Sequence, residues 1–270
     1  MPLKAFITGG NVMNEQPNYG NWVPKKLIVA LWVLTAVAVV LLGANLTMWH
    51  NTYLTVIFII ALVIVLFFAI TMQKMHNSFS FTGGGLMKKI HEFLISRLDW
   101  DGKGKILDIG CGSGALTIRC AKAFPEATAV GLDYWGAEWD YAKEHCIKNS
   151  ELEGVKNTEY LKGDARQLPY GDGEFDAVVS NFVFHEVKTE KDKRKLVKEA
   201  LRVLKKGGSF SLHDMFETKR IYGDMNEFIE ELKKEGISEI HYEPHTENLP
   251  FVPKNIKIMF KDMGIIYGKK

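Results

Sequence analysis

The chain has 270 residues, enough for one large domain or for a smaller domain with an accessory segment. Lys and Arg number 34 against 32 Asp and Glu, a balance of +2 with no long tract of either sign, so no nucleic-acid surface is indicated. Cys111, Cys120 and Cys146 form neither a C-x-x-C pair nor an even-numbered framework, which argues against a zinc ribbon or disulfide scaffold and for a reducing, cytosolic setting.

Residues 1–24 are rich in Asn, Gly and Pro and hold no sustained period, so they read as a flexible or surface-lying leader. The composition then changes abruptly. Residues 27–46 and 53–72 carry no charge, and as helices of about 20 residues each would span roughly 30 Å, the hydrocarbon thickness of a bilayer. Buried core helices are rarely apolar on every face, and a cleaved signal would have a shorter apolar region with no second span. A transmembrane hairpin over 25–74 is therefore expected. Lys25 and Lys26 flank the first span, Lys74 follows the second, and the connecting loop has no Lys or Arg. The positive-inside rule then puts both termini in the cytoplasm. Trp22, Trp49 and Tyr53 stand where interfacial aromatics are expected.

Residues 75–104 read as a juxtamembrane segment. Gly83, Gly84 and Gly85 break it; Leu86, Ile90, Phe93, Leu94 and Leu98 then recur at helical spacing. This predicts an amphipathic helix that packs on the following domain or, with Lys88, Lys89 and Arg97, lies on a membrane surface.

From residue 105 onward the chain alternates. Ile106, Leu107, Asp108 and Ile109 read as a buried strand, Gly110, Gly112 and Gly114 allow a sharp turn, and a helical pattern opens at Ala115. Amides at such a helix start favour a carboxylate or phosphate, so a nucleotide-like ligand is expected. The pattern then predicts a helix over 115–124, a strand over 128–132 closed by Asp133, a helix over 138–149, and a short strand over 159–162 before Gly163, Asp164 and Ala165. A strand over 175–180 follows. A charged helix over 191–204 ends on Lys205, Lys206, Gly207 and Gly208, before a strand over 209–213 and a helix over 224–235. Such alternation argues for a parallel sheet covered on both faces. The tail departs from it: 239–243 supplies one strand, and 256–260 or 264–267 the last.

The spacing D-x-G-x-G-x-G at Asp108, Gly110, Gly112 and Gly114 resembles motif I of the class I S-adenosylmethionine-dependent methyltransferases. A dinucleotide fingerprint would want its third glycine where the chain has Ala115. Residues 86–270 are similar to that family, and the hairpin is an addition to it. The resemblance implies an α/β fold with a Rossmann-like seven-stranded sheet of order 3-2-1-4-5-7-6, its last strand antiparallel, here preceded by a transmembrane helical hairpin. The expected division is a leader (1–24), two transmembrane helices (25–74), a juxtamembrane linker and helix (75–104) and the methyltransferase domain (105–270).

The implied cofactor is S-adenosylmethionine. Asp108, Gly110, Cys111, Gly112 and Gly114 would cradle it. Asp133, roughly 20 residues further on, would accept both hydrogen bonds of the ribose diol, and Tyr134 or Trp135 would pack on the adenine face. Asp164 and Ala165 match the place where a carboxylate and a backbone amide meet the adenine edge, although any turn shows an Asp beside a glycine. Asn181, after the fourth strand, would border the methionine part and the acceptor. In the family a helix before the first strand often covers the site, which implies a lid role for the helix after Gly85.

His185 is the candidate general base if the acceptor must lose a proton, since imidazole titrates near neutral pH; a hydrogen bond to backbone or cofactor would equally explain it. His213 with Asp214 is a second candidate pair. His241 and His245 stand four apart, as in helical metal sites, but Pro244 lies between them in a strand-like segment, so no metal is expected.

The expected function is a membrane-anchored methyltransferase acting on a small-molecule or lipid-like acceptor, with the bilayer and not nucleic acid as partner, multi-pass in the cell membrane and catalytic in the cytoplasm. A non-catalytic, membrane-tethered S-adenosylmethionine-binding protein would keep the same cofactor residues. A nicotinamide-dependent oxidoreductase would share the cradle and Asp133 but leave Asp164 and Asn181 without a role.

Overall fold

Two apolar helices precede the sheet in the computed structural model, which describes residues 15–79, 85–136 and 143–270. Helix α1 (Lys25–Ala44) packs along α2 (Thr52–Phe79), the two joined through a π-helical turn at Asn45–Trp49. The turn is held from inside. Asn45 is buried, and its Nδ2 donates to the Asn51 carbonyl at 3.0 Å and to Thr55 Oγ1 at 2.7 Å, so a polar group among apolar neighbours is paid for by hydrogen bonds. The outer faces expose Val40 (68 %), Val63 (61 %) and Phe67 (63 %), the reverse of a soluble core helix. By length and composition both helices are sufficient to cross a membrane. Helix α2 continues past the expected span end at Met72 to Phe79, which is buried against the domain.

Of the two alternatives expected for the leader, flexible or surface-lying, its described part takes the second. Residues 1–14 lie outside the described residues; 15–24 lie along the domain, largely exposed or half-buried, with Val23 buried. Trp22, expected at a membrane interface, stacks on Phe79 at 5.3 Å and meets Phe182 edge-on at 4.7 Å. These contacts come from single aromatic and amide side chains finding individual partners, which leaves no period in the sequence.

The sheet consists of β1 (Gly104–Ile109), β2 (Ala127–Asp133), β3 (Thr158–Lys162), β4 (Phe175–Asn181), β5 (Leu204–Asp214), β6 (Glu239–Glu243) and β7 (Gly264–Lys269). Their order is β3-β2-β1-β4-β5-β7-β6, and β7 runs antiparallel to both β5 and β6. Successive residues of a strand point to opposite faces, and the central strands are apolar on both. Leu107, Val130, Val178 and Phe210 face a core shared with α6 (Arg194–Arg202), α7 (Lys219–Tyr222) and α8 (Met225–Lys234). Ile106, Ala129, Ala177 and Val179 face the other, shared with Val23, Phe79, α3 (Leu86–Ser96) and α4 (Ala115–Ala123). Helix α3 thus docks on the domain through Leu86, Met87, Ile90 and Leu94, with Lys88 and Lys89 on its exposed side.

Several boundaries move. The helix expected over 191–204 stops at Arg202, because Leu204 pairs with Phe175 and starts β5. The pairing then slips, so that Ala177 meets Ser209. Lys205, Lys206, Gly207 and Gly208 therefore belong to an irregular strand and not to a helix end; a Cβ on Gly208 would lie 2.9 Å from the Asp176 carbonyl oxygen. Helix α5 is Lys143–Leu152, three residues longer at its end than expected, while 138–142 lie outside the described residues. Of the two candidates for the last strand, 264–267 is the strand and 254–260 forms a 3-10 turn.

Candidate active site

A cleft of about 560 Å³ opens at the C-terminal ends of β1, β2 and β4, where parallel α/β sheets reverse their strand order and take ligands. Its floor is the glycine turn. Gly110 and Gly114 take φ of +74° and +82°, and a Cβ on Gly110 would fall 2.2 Å from Val183 Cγ2, a stiff β-branched neighbour. The Gly110 and Cys111 amides donate to the Leu132 carbonyl at 2.7 and 3.1 Å, fixing the turn to β2. Ala115 and Leu116, the first residues of α4, line the cleft, so the positive end of that helix faces it.

Asp108 is buried beneath the turn and accepts from Thr117 Oγ1 at 2.6 Å. Burial pushes its carboxyl up, to about 7, against the lowering effect of that bond and with the Asp133 charge adding to the rise. Asp133 accepts from the Gly112 amide (2.8 Å) on one oxygen and from the Trp135 amide (2.8 Å) on the other. Each oxygen keeps a second acceptor direction. Trp135 is committed to the turn through Nε1 on the Gly112 carbonyl at 3.0 Å, leaving Tyr134 as the more open aromatic of the pair. Asp164 is held in a fork by Arg166 Nε and Nη2, at 2.9 and 2.7 Å on Oδ2, which holds its carboxyl below the ordinary range. Gly163 and Ala165 line the cleft beside it.

Beyond the turn, Asn181 ties a buried polar chain together. Its Oδ1 accepts from His213 Nδ1 (3.0 Å), its Nδ2 donates to His91 Nε2 (3.3 Å), and His213 Nε2 accepts from the Thr246 hydroxyl (2.8 Å), the tautomers being those the partners require. Burial pushes both imidazoles down to about 3, so both are neutral. Phe182 follows in the left-handed region, φ 59°, an uncommon setting for an aromatic residue, and forms cleft wall.

The expected pair of His213 with Asp214 does not form, because neighbours on a strand face opposite ways. Asp214 is instead the anchor of His185. Its Oδ2 accepts from the Val183 and Phe184 amides at 3.0 and 2.8 Å, and its Oδ1 from the Met215 amide at 2.7 Å and from His185 Nδ1 at 2.9 Å. Burial lowers the imidazole's pKa, but the bond to Asp214 and its charge, with Glu186 adding, outweigh that and the net direction is up.

The structure therefore brings Asp108, Gly110, Cys111, Gly112, Asp133, Tyr134, Asp164, Ala165, Asn181 and His185 to one cleft, with Gly114 immediately behind its wall. Asp214 does not line it and acts from behind, on His185 and the Val183 amide. The sequence reading missed Tyr19, Asn21 and Trp22 of the leader, Phe79 of α2, and Met87 and His91 of α3, which line the same cleft. His91 carries the one readable signal, a polar residue on the buried face of an amphipathic helix. Outside the cleft, His245 Nδ1 lies 2.9 Å from Glu217 and 3.1 Å from Glu247, while His241 stacks on Tyr267.

Residues 107–212 match the family model described as a methyltransferase domain. Over 128 residues the chain is 32 % identical to an uncharacterized methyltransferase of Synechocystis sp., a match covering 47 % of this chain and 55 % of that protein. Over 115 residues it is 34 % identical to the sterol 24-C-methyltransferase of Aspergillus fumigatus, covering 42 % of this chain and 28 % of that one. The chain thus spans about half or less of the length of these relatives. The solved structure of Haemonchus contortus phosphoethanolamine N-methyltransferase 2 in complex with S-adenosylmethionine shares the fold, at TM-score 0.52 and 18 % identity over 67 % of this chain and 52 % of its own. The glycine turn on β1, the sheet order 3-2-1-4-5-7-6 and the match over residues 107–212 on that sheet together support a methyltransferase domain with the class I, S-adenosylmethionine-dependent fold in this part of the chain.

Proposed function

We propose that the protein is a membrane-anchored methyltransferase whose acceptor is an apolar or amphiphilic small molecule drawn from the bilayer. One observation carries this reading. Phe79, the last residue of α2, lines the same cleft as the glycine turn, so an apolar wall of Trp22, Phe79, Met87 and Phe182 leads from the end of the hairpin toward the cofactor residues.

The cleft fits the cofactor on its own terms. Its turn is one that a Cβ would fill, a helix N-terminus faces it, and its volume suits a nucleoside-sized ligand. In this reading Gly110, Cys111, Gly112 and Asp108 form the cradle, Asp133 holds the ribose diol, Tyr134 and the Asp164 to Ala165 edge meet the adenine, and Asn181 borders the methionine half. S-adenosylmethionine supplies an activated methyl group when bound. The protein's own contribution is orientation, which in well-aligned systems lowers a barrier by about 7 to 11 kcal/mol. His185 takes the acceptor's proton on Nε2, with Asp214 holding the tautomer and balancing the imidazolium that forms.

The hairpin serves access: two spans with cytoplasmic ends would hold the cleft at the membrane surface. The test is methyl transfer from labelled S-adenosylmethionine by the full chain in native membranes, followed by extraction. Label in the lipid-soluble fraction supports the reading. Label confined to water-soluble products removes the bilayer acceptor, and cofactor binding without release of S-adenosylhomocysteine would leave a membrane-tethered cofactor-binding protein.

A further inference from the structure

The leader approaches the cleft in a way that no strand or helix of the domain does. It starts against α5, where Asn149 clasps Asn18 twice: the Asn18 amide donates to Asn149 Oδ1 at 2.9 Å and Asn149 Nδ2 donates to the Asn18 carbonyl at 2.9 Å. The same Nδ2 reaches the Ser113 carbonyl in the glycine turn at 3.0 Å, and Ser113 Oγ donates to the Tyr19 carbonyl at 3.0 Å. One asparagine thus ties leader and turn together. The Tyr19 hydroxyl donates to Glu153 at 2.8 Å. At its far end the segment is joined to α2, Asn21 Nδ2 donating to the His76 carbonyl at 2.9 Å, and Trp22 fills the gap between Phe79 and Phe182. The chain therefore crosses from α5 over the glycine turn to the end of β4.

We propose that residues 18–22 are part of the cofactor site: a strap over the methionine half of S-adenosylmethionine, with Tyr19 and Trp22 as binding residues. The inference rests on the cofactor reading above and adds a wall to it. The placement argues for this half. Tyr134 and Asp164, on the adenine side, follow β2 and β3, whereas the strap meets Ser113 after β1 and Phe182 after β4. Both aromatic residues line the cleft, and both are anchored from behind, Tyr19 by Glu153 and Trp22 by Phe79. A ligand enclosed between strap and turn loses contact with water on the side the sheet leaves open, and leaves only when the strap lifts.

Hydrogen exchange of the full-length protein in lipid nanodiscs, with and without saturating S-adenosylhomocysteine, tests this directly. The expected result is protection of both the glycine-turn peptide and the peptide spanning 15–24, the latter by about fivefold or more. Protection of the turn with an unchanged strap overturns the proposal while leaving the cofactor reading intact. Protection of neither removes the cofactor reading and the strap with it. Trp22→Ala is expected to raise the dissociation constant for S-adenosylhomocysteine about tenfold, with faster dissociation, and Trp22→Phe to restore most of it. Tyr53→Ala, at the distant hairpin turn, should change neither. An unchanged constant in folded Trp22→Ala also overturns the proposal, and the exchange measurement on the wild-type chain decides the matter should that variant not fold.

Discussion

Asp214 at the end of β5 and His185 after β4 stand 29 positions apart and meet at 2.9 Å, Nδ1 to Oδ1. On the proposed role of His185, that one bond would set the chemistry of the cleft. It makes Nδ1 the donor and turns Nε2 outward, where it lies 3.3 Å from Glu186 Oε1, while the Asp214 carboxylate is buried out of reach of salt.

His185→Gln should lower kcat/KM by about 100-fold, the usual worth of a placed acid or base, while the dissociation constant for the cofactor stays within about twofold. As the proposed base His185 would work as the neutral imidazole, and because Asp214 raises its pKa the acid limb of the rate profile should lie above the ordinary histidine value. Asp214→Asn should move that limb to lower pH and lower the plateau. A full rate in His185→Gln would remove it from catalysis.

Asp133→Ala should weaken S-adenosylmethionine binding by about 1.5 to 3 kcal/mol, the usual worth of a hydrogen bond to a charged group. The variant also strips the Gly112 and Trp135 amides of their acceptor, so Asp133→Asn, which keeps one carbonyl, should lose less. Calorimetry measures both. An unchanged affinity in a folded Asp133→Ala protein would mean that the ribose is held elsewhere.

Most strands were legible in the sequence because they advertise themselves locally, as Ile106 to Ile109 does before three glycines and the apolar run at 175–180 after a Gly-Asp-Gly turn; their order came from the family resemblance and not from these local signals. The match of His185 to Asp214 was not legible. It depends on which face of the sheet each of His213 and Asp214 takes, a matter of strand phase that only the finished sheet decides. The start of β5 at Leu204 was hidden by a helical pattern that continues past Arg202. The strap was hidden for a different reason, since Asn18, Tyr19 and Trp22 act through single long-range contacts with Asn149, Glu153 and Phe182 that no local rule encodes.

Stability should rise between pH 4 and about 6.5. His91 and His213 are held neutral down to about 3, so over this range the unfolded chain binds two protons that the folded one does not. Asp108 opposes them, keeping its proton in the fold up to about 7 while the unfolded carboxyl loses it near 4. Two against one leaves a gain on the order of 1 kcal/mol per pH unit. Above about 6.5 the raised His185 reverses the sign, because the folded state then keeps a proton that the unfolded state gives up. In scanning fluorimetry, Asp108→Asn should steepen the rise and His213→Gln should flatten it. A melting temperature that falls from pH 4 to 6 would contradict the neutral assignment of the two histidines.

The topology of the hairpin is open to a labelling test that the chain makes unusually clean. Its three cysteines, Cys111, Cys120 and Cys146, are all buried, so an impermeant thiol reagent has little native background. His50 sits exposed in the turn between α1 and α2, and Lys89 lies on the exposed side of α3. Lysines flank the hairpin at 25, 26 and 74 and are missing from its turn, so the positive-inside rule predicts an outward-facing turn. In intact cells a cysteine at His50→Cys should therefore react from outside, and one at Lys89→Cys should react only after permeabilisation. The opposite pattern would put the catalytic domain outside the cell. Reaction of both in intact cells would be as damaging, because it would mean that the two apolar helices lie against the bilayer without crossing it, and that the acceptor reaches the Trp22 and Phe79 wall from a surface and not from a span.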